Sequence, residues 1–248
     1  MKKIDLKLVI LTIIFIVILV ALVFVFSKEK ENSDLQNSEQ YLILNNSYSL
    51  IYDNLEWKSV SFTQMGRNIN WTKCRVYSPN REYQLYDIVT NGDRYYYFDD
   101  ERVSHELIDD SLILNNDTYF RLVDYDNKSL TDNDTNIINK VLDKYELSKN
   151  ISITKKYDLD NNSSVYIISN YGLNDTYFYL VFFRNKSKNY EILLDNYDNN
   201  FDIDLDLMYV LDVNKDLYSF VLTGVAYEGK SYFMFDYSNG VYNKIFES

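Results

Sequence analysis

"DLDNNSSVYIIS" occupies residues 158–169, and "DVNKDLYSFVLT" occupies residues 212–223, an offset of 54 positions. Laid over one another, Asp158 falls on Asp212 and the apolar run 166–169 falls on 220–223. At the same offset "YFYLVF" (177–182) meets "SYFMFD" (231–236) and Asn185 meets Asn239, so the match runs about 28 residues without a gap. Each copy reads as loop, strand, turn, strand, turn, strand. Such a unit cannot bury its apolar faces alone and has to stack on a neighbour. The expected fold is therefore mainly β: a propeller-like array or repeated meander over 150–248, with a two-sheet sandwich as the alternative.

Working outward, "YSLIYDNLEWKSV" (48–60), "YYYFDDERVSHEL" (95–107), "YFYLVFFRNKSKNYEILL" (177–194) and "SYFMFDYSNGVYNKIF" (231–246) share one plan. An aromatic, β-prone run meets a polar turn and then a second apolar run, which predicts a hairpin. Residues 41–130 are expected to be rich in such hairpins. One helix is expected over 134–149, centred on 135–148. There Ile137, Ile138, Val141, Leu142 and Tyr145 share a face at helical spacing, with Asp134 or Thr135 as the cap.

The 54-residue unit resembles the FG-GAP and VCBS-type repeats of extracellular proteins, whose D-x-D-G-D-G-x-x-E loop opens a blade and often holds calcium. The resemblance covers residues 150–248. It implies calcium ligands at Asp158, Asp160 and Asn162 in one loop and at Asp212, Asn214 and Asp216 in the other. Ser163 and Leu217 replace the loop glycine that permits the sharp turn, and Tyr166 and Phe220 replace the later glutamate. Each loop keeps at most three side-chain oxygen donors against the six to eight that calcium takes. Polar turns are the expectation, and calcium the alternative.

Other chemistry is sparse. "DIDLDL" (202–207) would set Asp202, Asp204 and Asp206 on one strand face about 7 Å apart. They repel unless a lysine or a cation lies opposite. His105 is the sole histidine and Cys74 the sole cysteine, so an imidazole–thiolate metal site and an internal disulfide are both excluded. No nucleophile-elbow, zincin or phosphate-loop motif occurs. Trp57, Trp71 and Tyr95–Tyr97 offer rings for stacking on sugars, although core packing is the commoner use of strand aromatics.

Leu8–Phe26 is a 19-residue run with 17 Leu, Ile, Val or Phe, flanked by Lys2, Lys3 and Lys7 before it and by Lys28 and Lys30 after it. As a helix it spans about 28 Å and favours insertion by roughly 5–10 kcal/mol. A cleaved signal would carry a shorter apolar core, and Val25-Phe26-Ser27 makes a poor cleavage site. A single-pass anchor is expected, with residues 1–7 cytoplasmic, a polar stalk over 27–40 and an extracytoplasmic β-rich domain over 41–248. Beyond residue 31 the chain carries 20 basic and 34 acidic residues, a net −14. Nucleic acid is excluded as a partner, and cationic or basic ligands are favoured. The composition, rich in Asn, Asp, Lys, Ile and Tyr with two Ala and one Pro, fits an AT-rich bacterial genome. The expected function is an envelope-anchored module binding a protein or wall polysaccharide. The alternatives are a glycan hydrolase working through paired carboxylates and an accessory subunit of a membrane complex.

Overall fold

The computed structural model describes residues 40–45, 48–69, 72–91, 94–98, 103–107, 109–146, 151–159, 162–171, 177–199, 203–214, 217–227 and 229–247. Residues 40–116 and 120–248 cluster as one compact unit. The fold is mainly β, in three antiparallel sheets with two helices, and each sheet ends in two edge strands. Among the described residues no helix is long and apolar enough to cross a membrane. The expected span Leu8–Phe26 lies outside them.

The first sheet runs β3 (Glu56–Ser59), β2 (Tyr48–Asp53), β1 (Gln40–Leu44), β8 (Leu112–Asn115), β4 (Thr72–Tyr77), β5 (Tyr83–Asn91), β6 (Arg94–Phe98) and β7 (Ser104–Glu106). Gln40, expected to close the stalk, instead opens β1 and is buried. The second sheet runs β10 (Tyr125–Asn127), β11 (Ile151–Leu159), β12 (Ser164–Tyr171), β13 (Tyr177–Arg184) and β14 (Tyr190–Asn199). The third runs β18 (Val241–Glu247), β17 (Gly229–Ser238), β16 (Leu217–Ala226), β15 (Asp204–Asn214) and β9 (Arg121–Leu122). All four hairpins form, as β2–β3, β6–β7, β13–β14 and β17–β18.

These elements stack in layers. The second and third sheets share a core in which Val165, Ile167 and Val181 meet Phe220, Leu222 and Phe235. The far face of the second sheet, through Tyr166, Ile168, Leu180 and Phe182, is covered by Ile137, Ile138, Val141 and Leu142 of α2 (Asp132–Lys144). Because both faces of β12 are buried, its sequence is a continuous apolar run rather than an alternating one. The far face of the third sheet meets the first. Trp57 Nε1 donates to Ser219 Oγ at 3.1 Å, Tyr209 OH donates to Asp110 O at 2.7 Å, and Tyr48 stacks on Phe246 at 4.9 Å. Finally, Met65 and Ile69 of α1 (Phe62–Ile69) pack on Ile43, Ile88, Tyr95 and Ile113 of the first sheet.

Both helices correct the sequence reading. The first was not foreseen. Its eight residues are too few for a clear period, and Gly66 lets it close on Thr90, whose Cγ2 lies 3.1 Å from where a Cβ would stand. The second starts and ends earlier than expected. Thr131 is the N-cap: its side chain accepts from the Asp134 N–H, and the Asp134 carboxylate accepts the Thr131 N–H. That reciprocal box satisfies two orphan donors together, which Asp134 or Thr135 as sole cap would not.

The 54-residue offset carries β11, β12 and β13 onto β15, β16 and β17, but it does not carry the pairing. In the second sheet Tyr166 faces Phe182, whereas in the third Phe220 faces Phe235. The cause is the hairpin between the paired strands. Five residues separate Tyr171 from Tyr177, but two separate Ala226 from Gly229. An odd loop and an even loop set registers that differ by one, and a one-residue slip turns a strand over. So β17 keeps the facing of β13, while β16 inverts that of β12.

Candidate ligand-binding cleft

The inversion has a chemical result. At the offset, Ser219 replaces Val165 and Asp236 replaces Phe182. The slipped register brings these two polar residues together on the third sheet's outer face, where Ser219 Oγ donates to Asp236 Oδ1 at 2.6 Å. Trp57 Nε1 can only donate, so it commits a lone pair of Ser219 and directs the single hydroxyl hydrogen to the aspartate. Ser219 is wholly buried, Trp57 is 4% exposed and Asp236 is 3% exposed. Burial lifts the Asp236 carboxyl to about 6, aided by the negative charge of Glu56 and against the hydrogen bonds from Ser219 and the Tyr237 N–H.

Asp236 lines a cleft of about 350 Å³ between the first and third sheets. One wall is the β2–β3 hairpin with Tyr52, Leu55 and Glu56, and the other holds Val213, Leu217 and Tyr237. Two tight turns frame it, Asn54-Leu55 and Asn239-Gly240, each with both φ values positive (51° and 66°, 56° and 86°). This type I′ geometry normally takes glycine second, as Gly240 does. Leu55 holds the left-handed conformation instead, at roughly 1 kcal/mol, and leaves its side chain 68% exposed at the mouth. Among the described residues that line the cleft there is no lysine, arginine or histidine. A buried carboxyl, a solvated carboxylate and apolar walls make a site for a ligand with hydrogen-bond donors and some apolar surface.

The residues singled out from sequence lie elsewhere. Asp158 sits at the end of β11, bonded by Ser164 Oγ at 2.7 Å and by Lys156 at 3.1 Å. Asp212 is on β15, paired with Arg121 of β9 at 3.0 Å. Asn162 is an exposed turn residue with φ 64°. Asp160, Asp216 and the side chain of Asn214 lie outside the described residues. Among the described residues no cluster of three or more potential metal ligands occurs. Asp204 and Asp206 do share a side of β15, and the lysine that their repulsion requires is Lys155 of the second sheet, at 2.7 and 3.5 Å. Asp202 lies outside.

The aromatic candidates are mostly consumed by packing. Trp57 and Tyr95 are core, and Tyr95 OH meets Ser49 Oγ at 2.7 Å. Tyr97 stacks on His105 at 5.2 Å with 21° between ring planes, and lies 4.3 Å from Tyr86. The three rings form a ladder across β5, β6 and β7, which gives His105 a packing role. Tyr86 and Tyr97 border a smaller groove of about 240 Å³ with Gln84 and Leu107. Trp71 lies outside the described residues.

Comparison with known protein families, with curated proteins and with solved structures finds no match for this chain. Chemistry alone therefore carries the reading of the cleft. Sequence reasoning missed Ser219, Asp236 and Glu56. The available signal was the aligned pair "YFYLVF" and "SYFMFD", in which an aspartate stands where its copy has a buried phenylalanine.

Proposed function

We propose that this chain is a membrane-anchored, extracytoplasmic binding module of a bacterial envelope, held by Leu8–Phe26 with its N-terminus cytoplasmic, and that it receives its ligand over Asp236. The observation that carries this reading is the Trp57–Ser219–Asp236 chain. It holds an ionisable group at the bottom of an open cleft, where an apolar residue would stabilise the fold better. In this reading the two meanders are diverged FG-GAP-type units and their Asp-rich loops are turns. The pairing of Asp158 and Asp212 with side chains of the protein supports that, and millimolar calcium should leave the Tm of the metal-stripped protein unmoved.

The binding test is a screen of envelope components, peptides, saccharides and amines, against ¹⁵N-labelled full-length chain in micelles. The Trp57 indole signal, assigned with a Trp71→Phe variant, should shift with a ligand in the cleft. A screen in which ligands bind but leave that signal still would place the site elsewhere. Protease added to wall-stripped intact cells should remove the domain beyond residue 31, and full protection would overturn the topology. A second reading is favoured by one observation, that a carboxyl raised to about 6 shares the cleft with the solvated Glu56. Such a pair suits glycoside hydrolysis, with Asp236 giving a proton to the leaving oxygen and Glu56 activating water. Release of reducing ends from wall glycan, lost in both Asp236→Asn and Glu56→Gln, would establish it.

A further inference from the structure

Resting on the binding reading above, we propose that the cleft is a recognition site for a primary ammonium carried on an alkyl stem, the chemistry of a lysine side chain or an alkylamine. Its depth and its mouth differ in the way such a ligand does. Asp236 lies at the bottom and Glu56 beside it, while Leu55, Leu217 and Val213 line the walls. Two carboxyls, with no cationic side chain among the described lining residues, disfavour an anion and favour a cationic ligand. A hard metal ion fits poorly, since calcium takes six to eight oxygens and these walls are leucine and valine. A neutral saccharide would use the carboxyls as acceptors but gains nothing from their charge.

An alkylammonium satisfies every part. Its three N–H donors match carboxylate acceptors, and its stem lies along the leucines as lysine stems lie along apolar surface. The rings of Tyr52 and Tyr237 lie on the lining, and a ring face turned to the ligand attracts the cation. The third sheet is built to keep the floor in place. Ser219 and Trp57 fix Asp236 Oδ1, so the carboxyl is oriented before the ligand arrives. The domain's net −14 draws cations toward it at long range.

The test uses the full-length chain in micelles and three probes: Nα-acetyl-lysine methylamide, the matched norleucine derivative, and n-butylamine. Calorimetry gives affinity, and the Trp57 indole signal reports on the cleft. The lysine derivative should bind about tenfold or more tighter than norleucine, the value of one charge-assisted hydrogen-bond pair. Glu56→Gln, at an exposed position, should weaken the lysine probe severalfold and leave norleucine unchanged, and raising the salt should act in the same direction. Tight binding of butylamine as well supports a free amine as the natural source. Binding of the lysine derivative alone supports a peptide. Equal affinity for lysine and norleucine probes, both shifting Trp57, overturns the ammonium proposal and leaves the cleft a binding site. If all three probes leave Trp57 still while a component of the envelope screen moves it, the proposal falls and the binding reading stands. If nothing moves it, both fall.

Discussion

The second and third sheets each bear a buried aspartate on the face turned away from their shared core, and the two behave in opposite ways. Asp134 reaches the second sheet from α2, and Asp236 sits in the third sheet; each is 3% exposed. Burial alone would raise both. Asp134 nonetheless falls to about 2, because Thr131, Tyr166 OH at 2.7 Å and Lys156 at 3.3 Å all donate to it. Asp236 rises to about 6, with one serine and one backbone N–H to offset burial and Glu56 adding to the rise. Equal surface exposure does not make equal aspartates, since Asp236 lies deeper within the protein and has fewer donors. One is satisfied by its own fold and pins α2 to its sheet. The other is held out of balance in a cleft, an imbalance that in the binding reading proposed above marks a group kept for a ligand.

Forcing the second sheet to imitate the third gives the largest effect. Phe182 is fully buried beneath α2, its ring stacked on Tyr166 at 4.7 Å and 11°. Phe182→Asp should cost at least about 4 kcal/mol in urea unfolding, from the lost ring and an unpaired charge together. A loss below about 1 kcal/mol would show that the two faces are interchangeable and that Asp236 needs no special account.

The two aspartates also predict opposite limbs of the pH–stability curve. Asp236 is raised in the folded state, so its contribution is full below about 4 and is lost as pH rises through about 6, a swing of roughly 3 kcal/mol. Asp134 is lowered, so its contribution is full above about 4 and is lost as pH falls toward about 2, by roughly 2 kcal/mol. Asp236→Asn should therefore stabilise the protein by about 2–3 kcal/mol at pH 8 and flatten the limb between 4 and 6. Asp134→Asn should destabilise it and flatten the acid limb. Denaturation midpoints from pH 2 to 8 read both. A limb between 4 and 6 that persists in Asp236→Asn would assign it to another carboxyl.

The contrast also shows what the sequence could disclose. Hairpins were legible because each joins two β-prone runs through a turn that local chemistry dictates. The 54-residue match was legible for the same reason. The slip between β16 and β17 was not, because register is decided by the difference between a five-residue and a two-residue loop and by packing on a distant sheet. Ser219 and Asp236 therefore read as scattered polar residues until the slip pairs them. Trp57, weighed as a ring for sugars against the commoner core role, is core, and its hydrogen bond reaches a residue 162 positions away. Asp134 was seen as a cap, but its tie to Tyr166 spans α2 and β12 and leaves no local trace.

Smaller changes sharpen the account of the third sheet. Ser219→Ala strands Trp57 Nε1 and removes a donor from Asp236 Oδ1, at about 1–3 kcal/mol. Because that donor lowers the Asp236 carboxyl, its loss should move the falling limb to higher pH. Loss of stability without that movement would mean the serine serves packing alone.

Leu55 gives the smallest effect and separates the demands of folding from those of binding. Its φ of 66° suits glycine, and its neighbour across the cleft, Gly240, meets the same requirement at no strain. Leu55→Gly relieves the left-handed strain, while glycine's freer unfolded chain takes part of that back, so a gain of about 0.5 kcal/mol is expected. The side chain is 68% exposed, and little burial is lost with it. If the leucine is there for the ligand's apolar stem, the same substitution should weaken binding severalfold while stability rises. A variant that is both more stable and as tightly bound would make Leu55 an accident of the turn, and the apolar wall would then rest on Leu217 and Val213.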